Sequence, residues 1–598
     1  MQAFSFENWE IDTNATSFLF FVQSMEEMLF HYGHDSYKVP TLNFHFLCIE
    51  TLSTIQKIEK DIVDKGNMRP LFDELSEMFT SDYVAKKLYG EDFNSLFYRK
   101  NDKGEYVRDC SQLNKDPSSD TSLKVIQKAL SFLVDDMSID DKYLKTLKTE
   151  IEVLLSKRTF ETVDARKLLG LSRLLLTELI NRGYSQEYIY SQIKERYYSH
   201  TKTIVDVSVE IASFWEAFSF KEREFSVTLP IKKADIKKLL DHFKNVTVLE
   251  NTNKLFGNSC PWVVEIEIKA LDPEKARVEA MTLVSLFVSL KQYNSHISKA
   301  FYASQAIVKE IESQKKYTMA NPVKLLARGC TRSEEEIYNR IGEMIYSFPI
   351  IGEKIINAIS LHSSAMESRN ASNQLLNLWT IIEVLIEVEK RNNYSKINQI
   401  CNILTTVLNS SYVKSLMEQL LFDLKHCCEE FEKYLDQVTK GNNDVEKMIA
   451  LLILPEFLPV KTNLLSTLTN YPLLCYRIEH YSEQFSDRSE LKKVLVKHRK
   501  RLEWQIMRIY RNRNMIVHDG SYFPYIDLII QNLHFYTDSL IDTINHYVGK
   551  GYETLEIIYA LLSHNEFKHQ LTLELMDDNK KPLPIMDDFA KVVLGDYV

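Results

Sequence analysis

The sequence predicts a mainly α protein: a C-terminal helical bundle preceded by a small α+β domain and a largely helical N-terminal region. Three observations predict it. First, 598 residues hold only 15 glycines and 14 prolines, too few turn formers for a propeller or a β-sandwich. Second, apolar residues recur at helical spacing over long stretches. Third, a single interval alternates apolar and polar residues as strands do. At about 150 residues per domain this length has room for roughly four domains. The expected boundaries are 1–215, 216–350, 351–550 and 551–598.

The first segment, to about residue 110, mixes aromatic-rich and helical stretches and reads ambiguously. From Ser122 to Tyr198 the spacing is helical, as in Leu168, Leu171, Leu175 and Leu179. The α+β interval offers Glu224–Pro230 as a strand, Ala234–Phe243 as a helix, then Val246–Leu249 and Trp262–Ile268 as strands. Asp272 and Pro273 then start a helix to about Gln292, the first as cap and the second in the opening turn. A β-α-β-β-α order of this kind suggests an antiparallel sheet. No glycine-rich phosphate loop interrupts it. From about Lys354 the chain reads as helical to Tyr547, with breaks at Asn392-Asn393, Asn409–Ser411, Gly441–Asn443 and Pro459. A long helix begins near Arg488 and carries Leu491, Leu495, Leu502, Ile506 and Ile509 on one face. It should stop near His518, because Asp519-Gly520 follows and then Pro524. A further helix covers about Tyr525–Tyr547. Residues 548–598 read as one more helix and a polar tail.

Composition excludes several functions. The formal net charge is −10, so no whole-surface attraction to nucleic acid is expected and any such site is a local patch. The eight cysteines include no C-x-x-C pair, which argues against a zinc ribbon. The N-terminal residues lack the order of a signal peptide. The longest apolar run, Met448–Val460, is too short and too broken to span a bilayer. A cytoplasmic protein with reduced thiols is expected, with no membrane partner, no metal and no cofactor. Walker A, H-E-x-x-H and G-x-S-x-G sequences are absent. His518-Asp519 lacks the further ligands of a metal-dependent HD phosphohydrolase. The cluster Lys194–Tyr198 interleaves charge and rings, but a packed helix end explains it better than base stacking.

One segment concentrates chemistry: Tyr510-Arg511-Asn512-Arg513-Asn514-Met515-Ile516-Val517-His518-Asp519-Gly520. A guanidinium at Arg513 would hold a phosphate and offset developing negative charge. The imidazole of His518 would move a proton near neutral pH. Asn514 would orient the ring or donate to a phosphate oxygen. At about 100° per residue, Arg511, Asn514 and His518 fall on one stripe. The helix leading to them is basic, and Lys500, Arg501 and Arg508 are candidate RNA-binding residues. A solvated face whose late positive charges suit the helix dipole is the plainer reading of that charge run taken alone.

Arg513-Asn514-Met515-Ile516-Val517-His518 resembles the R-N-x-x-x-H signature of HEPN domains, and the Apea-like branch fits best. Upstream, Leu378-Trp379-Thr380-Ile381-Ile382-Glu383-Val384-Leu385 resembles that branch's first-helix signature, an aliphatic-Trp pair followed by Glu-x-Leu. The resemblance covers about residues 355–550. It implies a bundle that forms homodimers or higher homo-oligomers, with two copies of the motif facing each other. It also implies a metal-independent endoribonuclease of the kind common in anti-phage and toxin systems. Arg513, Asn514 and His518 would be catalytic, with Glu383, Arg511 and Asp519 supporting them. The products would be a 2′,3′-cyclic phosphate and a free 5′-hydroxyl. Members silenced by nucleotidyltransferases carry a tyrosine two residues after the His; Gly520 stands there, so control by tyrosine modification is not expected. The remaining N-terminal portion would sense a phage-derived trigger or a regulatory partner. The alternative is a non-catalytic dimerisation or binding module in a sensor protein.

Overall fold

Helix-forming residues dominate the chain, and short caps and turns divide them into helices that pack mainly on one another. The computed structural model describes residues 16–30, 37–90, 98–100, 106–108, 120–198, 206–231, 245–251, 256, 262–295, 305–320, 342, 349–368, 370–386, 395–575 and 589–595. The N-terminal helices are α1 (Thr16–Leu29), α2 (Phe44–Glu59), α3 (Met68–Ser81) and α4 (Tyr83–Tyr89), followed by a short hairpin of β1 (Tyr98–Lys100) and β2 (Tyr106–Arg108). Next come α5 (Asp120–Ser138), α6 (Lys142–Leu155) and α7 (Thr162–Asn181). The mainly α class with a small antiparallel sheet is therefore as expected.

The contacts divide the chain into two compact units, residues 178–325 and the rest. Residues 1–177 and 326–598 build one body together.

The smaller unit holds α8 (Gln186–Tyr197), α9 (Val207–Ala217), β3 (Arg223–Ile231), β4 (Val246–Glu250), β5 (Trp262–Ala270), α10 (Pro273–Ser295), β6 (Gln305–Glu310) and β7 (Lys316–Ala320). Its five strands run antiparallel in the order β4-β5-β3-β6-β7. Alternate residues Phe225, Val227, Leu229 and Ile231 meet Val264 and Ile266 in a core shared with Ala276, Ala280 and Phe287 of α10. Asp272 caps α10 as expected, accepting the Lys275 amide at 2.8 Å, and it also accepts the Ser185 amide at 2.7 Å. The helix expected over Ala234–Phe243 lies outside the described residues. Lys194–Tyr198 forms a packed helix end, with Tyr197 buried and Arg196 donating to the Ser213 hydroxyl at 2.7 Å.

In the larger unit, α11 (Pro349–Glu367), α12 (Ala371–Leu385), α13 (Lys396–Ser410), α19 (Arg488–Asp519), α20 (Ile526–Gly549) and α21 (Leu555–Leu575) pack as a bundle. Between α13 and α19 the chain makes α14 (Tyr412–Cys427), α15 (Phe431–Asp436), α16 (Asp444–Ile453), α17 (Leu458–Thr467) and α18 (Pro472–Ser486); a short α22 (Phe589–Leu594) packs on α16. The break expected at Asn392-Asn393 and most of the polar tail lie outside the described residues.

The N-terminal helices dock on this body through polar contacts as well as apolar ones. Gln23 of α1 accepts the Leu473 amide at 3.2 Å and donates to the Asn470 carbonyl at 2.8 Å, so it ties α1 to the start of α18. Arg477 of α18 pairs with Glu27 and lies 3.6 Å from the centre of the Tyr37 ring. No single described helix is long and apolar enough to cross a membrane.

Candidate functional site

The long helix α19 sets the site. Asp487 caps its start, accepting the Ser489 amide at 2.7 Å and the Glu490 amide at 3.1 Å. Its 32 residues span about 48 Å. It ends as the sequence predicts: Gly520 takes a left-handed conformation with φ 65°, and its amide reaches the Ile516 carbonyl at 3.2 Å. His518 therefore sits in the last turn, exposed.

Arg513 and Asn514 lie just inside that end and are half-buried. Arg513 donates from Nη1 to Asn514 Oδ1 at 3.2 Å. That contact fixes the amide so that its oxygen is occupied and its NH2 group remains as the donor. Asn514 is thus partnered to the guanidinium, whereas the sequence reading also allowed it to orient the imidazole. His518 lies four residues on, one turn nearer the tip.

Asp519 is positioned by the end of α2. It forms an ion pair with Lys57 and accepts the Ser521 hydroxyl at 2.5 Å. Lys57 Nζ also donates to Ser521 Oγ at 3.1 Å. The Lys57 hydrogen bond, followed by that of Ser521, holds the Asp519 carboxyl below the usual carboxylate range. The turn following His518 is therefore tied to the N-terminal helices.

Two of the expected arginines play other roles. Arg508, expected to contact RNA, is only 2% exposed. It donates to Glu50 at 2.9 Å, to Glu74 at 2.5 Å and to Gln505 at 3.0 Å. Arg511, expected to support catalysis, is 1% exposed and donates to the other oxygen of Glu50 at 2.7 Å. These guanidiniums face α2 and α3 inside the body, where a phosphate has no access. Burial alone would raise the pKa of Glu50, but Arg508 and Arg511 hold it below its ordinary value. The predicted stripe of Arg511, Asn514 and His518 thus runs from the core outward to the surface.

Asn512, which the motif reading passed over, is fully buried and structural. Its amide nitrogen donates to the Arg508 carbonyl at 3.0 Å, and its oxygen accepts the Phe523 amide at 3.1 Å. It pins the chain's return beneath the motif.

The two signature segments do meet. The Trp379 ring of α12 lies 5.7 Å from that of Tyr510, one turn before Asn514. Glu383, expected to hold an arginine of the motif, instead accepts the Trp379 indole N–H at 3.0 Å and faces Lys396 at 3.4 Å. It orients the buried Trp379 rather than the motif arginines.

The basic run is largely neutralised by the protein itself. Lys492 pairs with Glu574, Lys493 with Glu490, and Arg499 with Glu503 and Glu566. Lys500 and Arg501 are exposed, but they lie about 18–20 Å along the axis from Arg513. Among the described residues no group of three or more His, Cys, Asp or Glu side chains is arranged to hold a metal. Cys48, Cys401, Cys427, Cys428 and Cys475 are unpaired thiols.

No protein family, no curated protein and no solved structure matches the chain. The functional reading therefore rests on the site itself.

Proposed function

We propose that the protein is a metal-independent endoribonuclease of a cytoplasmic anti-phage defence system, cutting RNA where two copies of the HEPN-like motif meet in a homodimer. The observation that supports this most is the tip of α19. There Arg513 is joined to Asn514 and followed one turn later by an exposed His518, while Arg511, Asn512 and Asp519 of the same segment each have a structural partner. The tip presents one cation, one amide donor and one imidazole to solvent.

In this reading Arg513 neutralises the scissile phosphate, and the Asn514 amide N–H donates to a non-bridging oxygen. The 2′-hydroxyl attacks phosphorus, the bond to the 5′-oxygen breaks, and a 2′,3′-cyclic phosphate and a 5′-hydroxyl result. His518 moves the proton, taking it from the 2′-oxygen or delivering it to the leaving oxygen. Of the three cations proposed for RNA contact, Lys500 is retained and Arg508 is not.

The test is cleavage of labelled RNA by the wild-type chain in the presence of a chelator. His518→Ala is expected to lose about 10²–10⁴-fold in rate and Arg513→Ala about 10²–10³-fold. Both variants should melt like the wild type, because neither side chain belongs to the core. Cleavage at an unchanged rate in both variants would remove the nuclease reading.

A further inference from the structure

Helices α2 and α19 are tied at two levels. In the core, Glu50 of α2 pairs with Arg508 and Arg511. Nearer the surface, Lys57 of α2 pairs with Asp519. From Glu50 to Lys57 the helix rises about 10.5 Å, and from Arg511 to Asp519 about 12 Å, so the two levels are matched in height. The signs are reversed between them: α2 supplies the acid at the inner level and the base at the outer one. A slip that brought Lys57 beside Arg511 would oppose like charges. The end of α2 is itself closed. The Ile62 amide reaches back to the Lys57 carbonyl at 3.0 Å and the Asp61 amide to the Ile58 carbonyl at 3.0 Å, with Asp61 left-handed at φ 56°. Ile55 and Ile58 are buried on either side of Lys57. The backbone of Lys57 is therefore fixed before its side chain reaches α19.

What Lys57 reaches is the last turn of α19, the part of a helix that frays first. His518 and Asp519 occupy that turn. Lys57 pairs with Asp519 and donates to Ser521 Oγ at 3.1 Å, and Ser521 Oγ donates to Asp519 Oδ2 at 2.5 Å. The three side chains close a triangle around Gly520, directly after the histidine. The plainer reading is a surface ion pair. With side chains 19% and 32% exposed, such a pair adds little to stability, and the buried Glu50 level already joins the helices. Its placement does more than its strength: it holds the residue bonded to His518.

We propose that Lys57, together with Ser521, is a positioning residue for His518, holding the end of α19 so that the imidazole keeps a fixed place beside Arg513 and Asn514. The proposal rests on the nuclease reading of His518 and adds to it a residue from outside the motif helix. A misplacement of about 1 Å in a reacting group lowers a rate by roughly 10²-fold, so a clamp that is weak in stability is strong in rate.

The experiment compares the full chain with Lys57→Met, Lys57→Arg, Ser521→Ala and the remote Lys492→Gln in cleavage of labelled RNA. Lys57→Met is expected to lower kcat by about 10- to 100-fold and to leave KM within about twofold, because Lys57 touches no substrate. Lys57→Arg should restore most of the loss, Ser521→Ala should lose less than Lys57→Met, and Lys492→Gln should match the wild type. All should melt like the wild type. Amide hydrogen exchange of residues 516–521 provides a readout independent of activity: it should quicken in Lys57→Met and return to the wild-type rate in Lys57→Arg. An unchanged kcat in Lys57→Met, a change in KM alone, no rescue by Lys57→Arg, unchanged exchange, or a Tm lowered by several degrees in Lys57→Met would each overturn the proposal. Wild-type kcat in Lys57→Met beside lost cleavage in His518→Ala would overturn it and leave the nuclease reading standing; a wild-type chain that cuts no RNA would remove both.

Discussion

Arg508 and Arg511 illustrate what a single residue's environment decides. As sequence they were two more cations of a basic helix; in the fold they are buried partners of Glu50 and Glu74. Removing one member of such a pair leaves a charge stranded in the core. Glu50→Gln and Arg511→Met should each destabilise the chain by about 3–5 kcal/mol, and the double variant by less than the sum; urea unfolding of the two singles and the double measures this. Two histidines are equally informative. His534 is fully buried with neither ring nitrogen hydrogen-bonded, and His480 is also shielded. Burial first, then the charge of His362, lowers His534 from 6.5 to about 4. A depressed folded pKa means that the neutral ring favours folding above pH 6.5 and that this contribution fades as pH falls toward 4. Stability should therefore drop over that window, by up to about 1.4 kcal/mol per pH unit from His534. In His534→Leu the slope, followed by unfolding at several pH values, should be shallower. Nothing in the sequence marked either partnership, because the carboxylates lie more than 430 residues away from the arginines they hold.

At the scale of elements, legibility followed periodicity. The start and stop of α19 were readable because Asp487, Gly520 and the apolar stripe each act locally. So were β3, β5 and α10, where alternation and a capping Asp-Pro are local signals. Helix α1 read ambiguously for a physical reason: Phe18, Leu19, Phe20, Phe21, Val22 and Met25 are all buried, so no polar face gave it a period. Strands β6 and β7 are short and interrupted by lysines and a glutamate, and they went unread. The glycine ending α19 also yields a prediction. At φ 65° an alanine is strained, so Gly520→Ala should cost about 1 kcal/mol and loosen the turn that carries His518. The check is a thermal melt together with cleavage, in which the rate should fall more than the rate of Asp487→Ala, a cap change at the far end of the same helix.

For the whole molecule, the least legible feature is which distant segments of the chain pack together. The contacts join residues 1–177 to residues 326–598. The joins are side-chain pairs such as Gln23 with Leu473, Arg477 with Glu27 and Lys57 with Asp519, which composition and periodicity do not encode. The N-terminal helices hence act on the motif helix as part of its support. Deletion of residues 1–90 should leave Arg508 and Arg511 without carboxylates and yield a chain that lacks a cooperative unfolding transition. A cooperatively folded truncation would show that α2 and α3 are dispensable to the body. Any signal reaching the site through α2 has a short route, since Lys57 grips the turn directly after His518.

The most direct test of the central claim is the chemistry of the RNA ends left by the full chain in the presence of a chelator. A 2′,3′-cyclic phosphate with a free 5′-hydroxyl, lost together in Arg513→Ala and His518→Ala, is the predicted result. A 5′-phosphate with a 3′-hydroxyl, or the same cyclic ends at wild-type rate from His518→Ala, would contradict it.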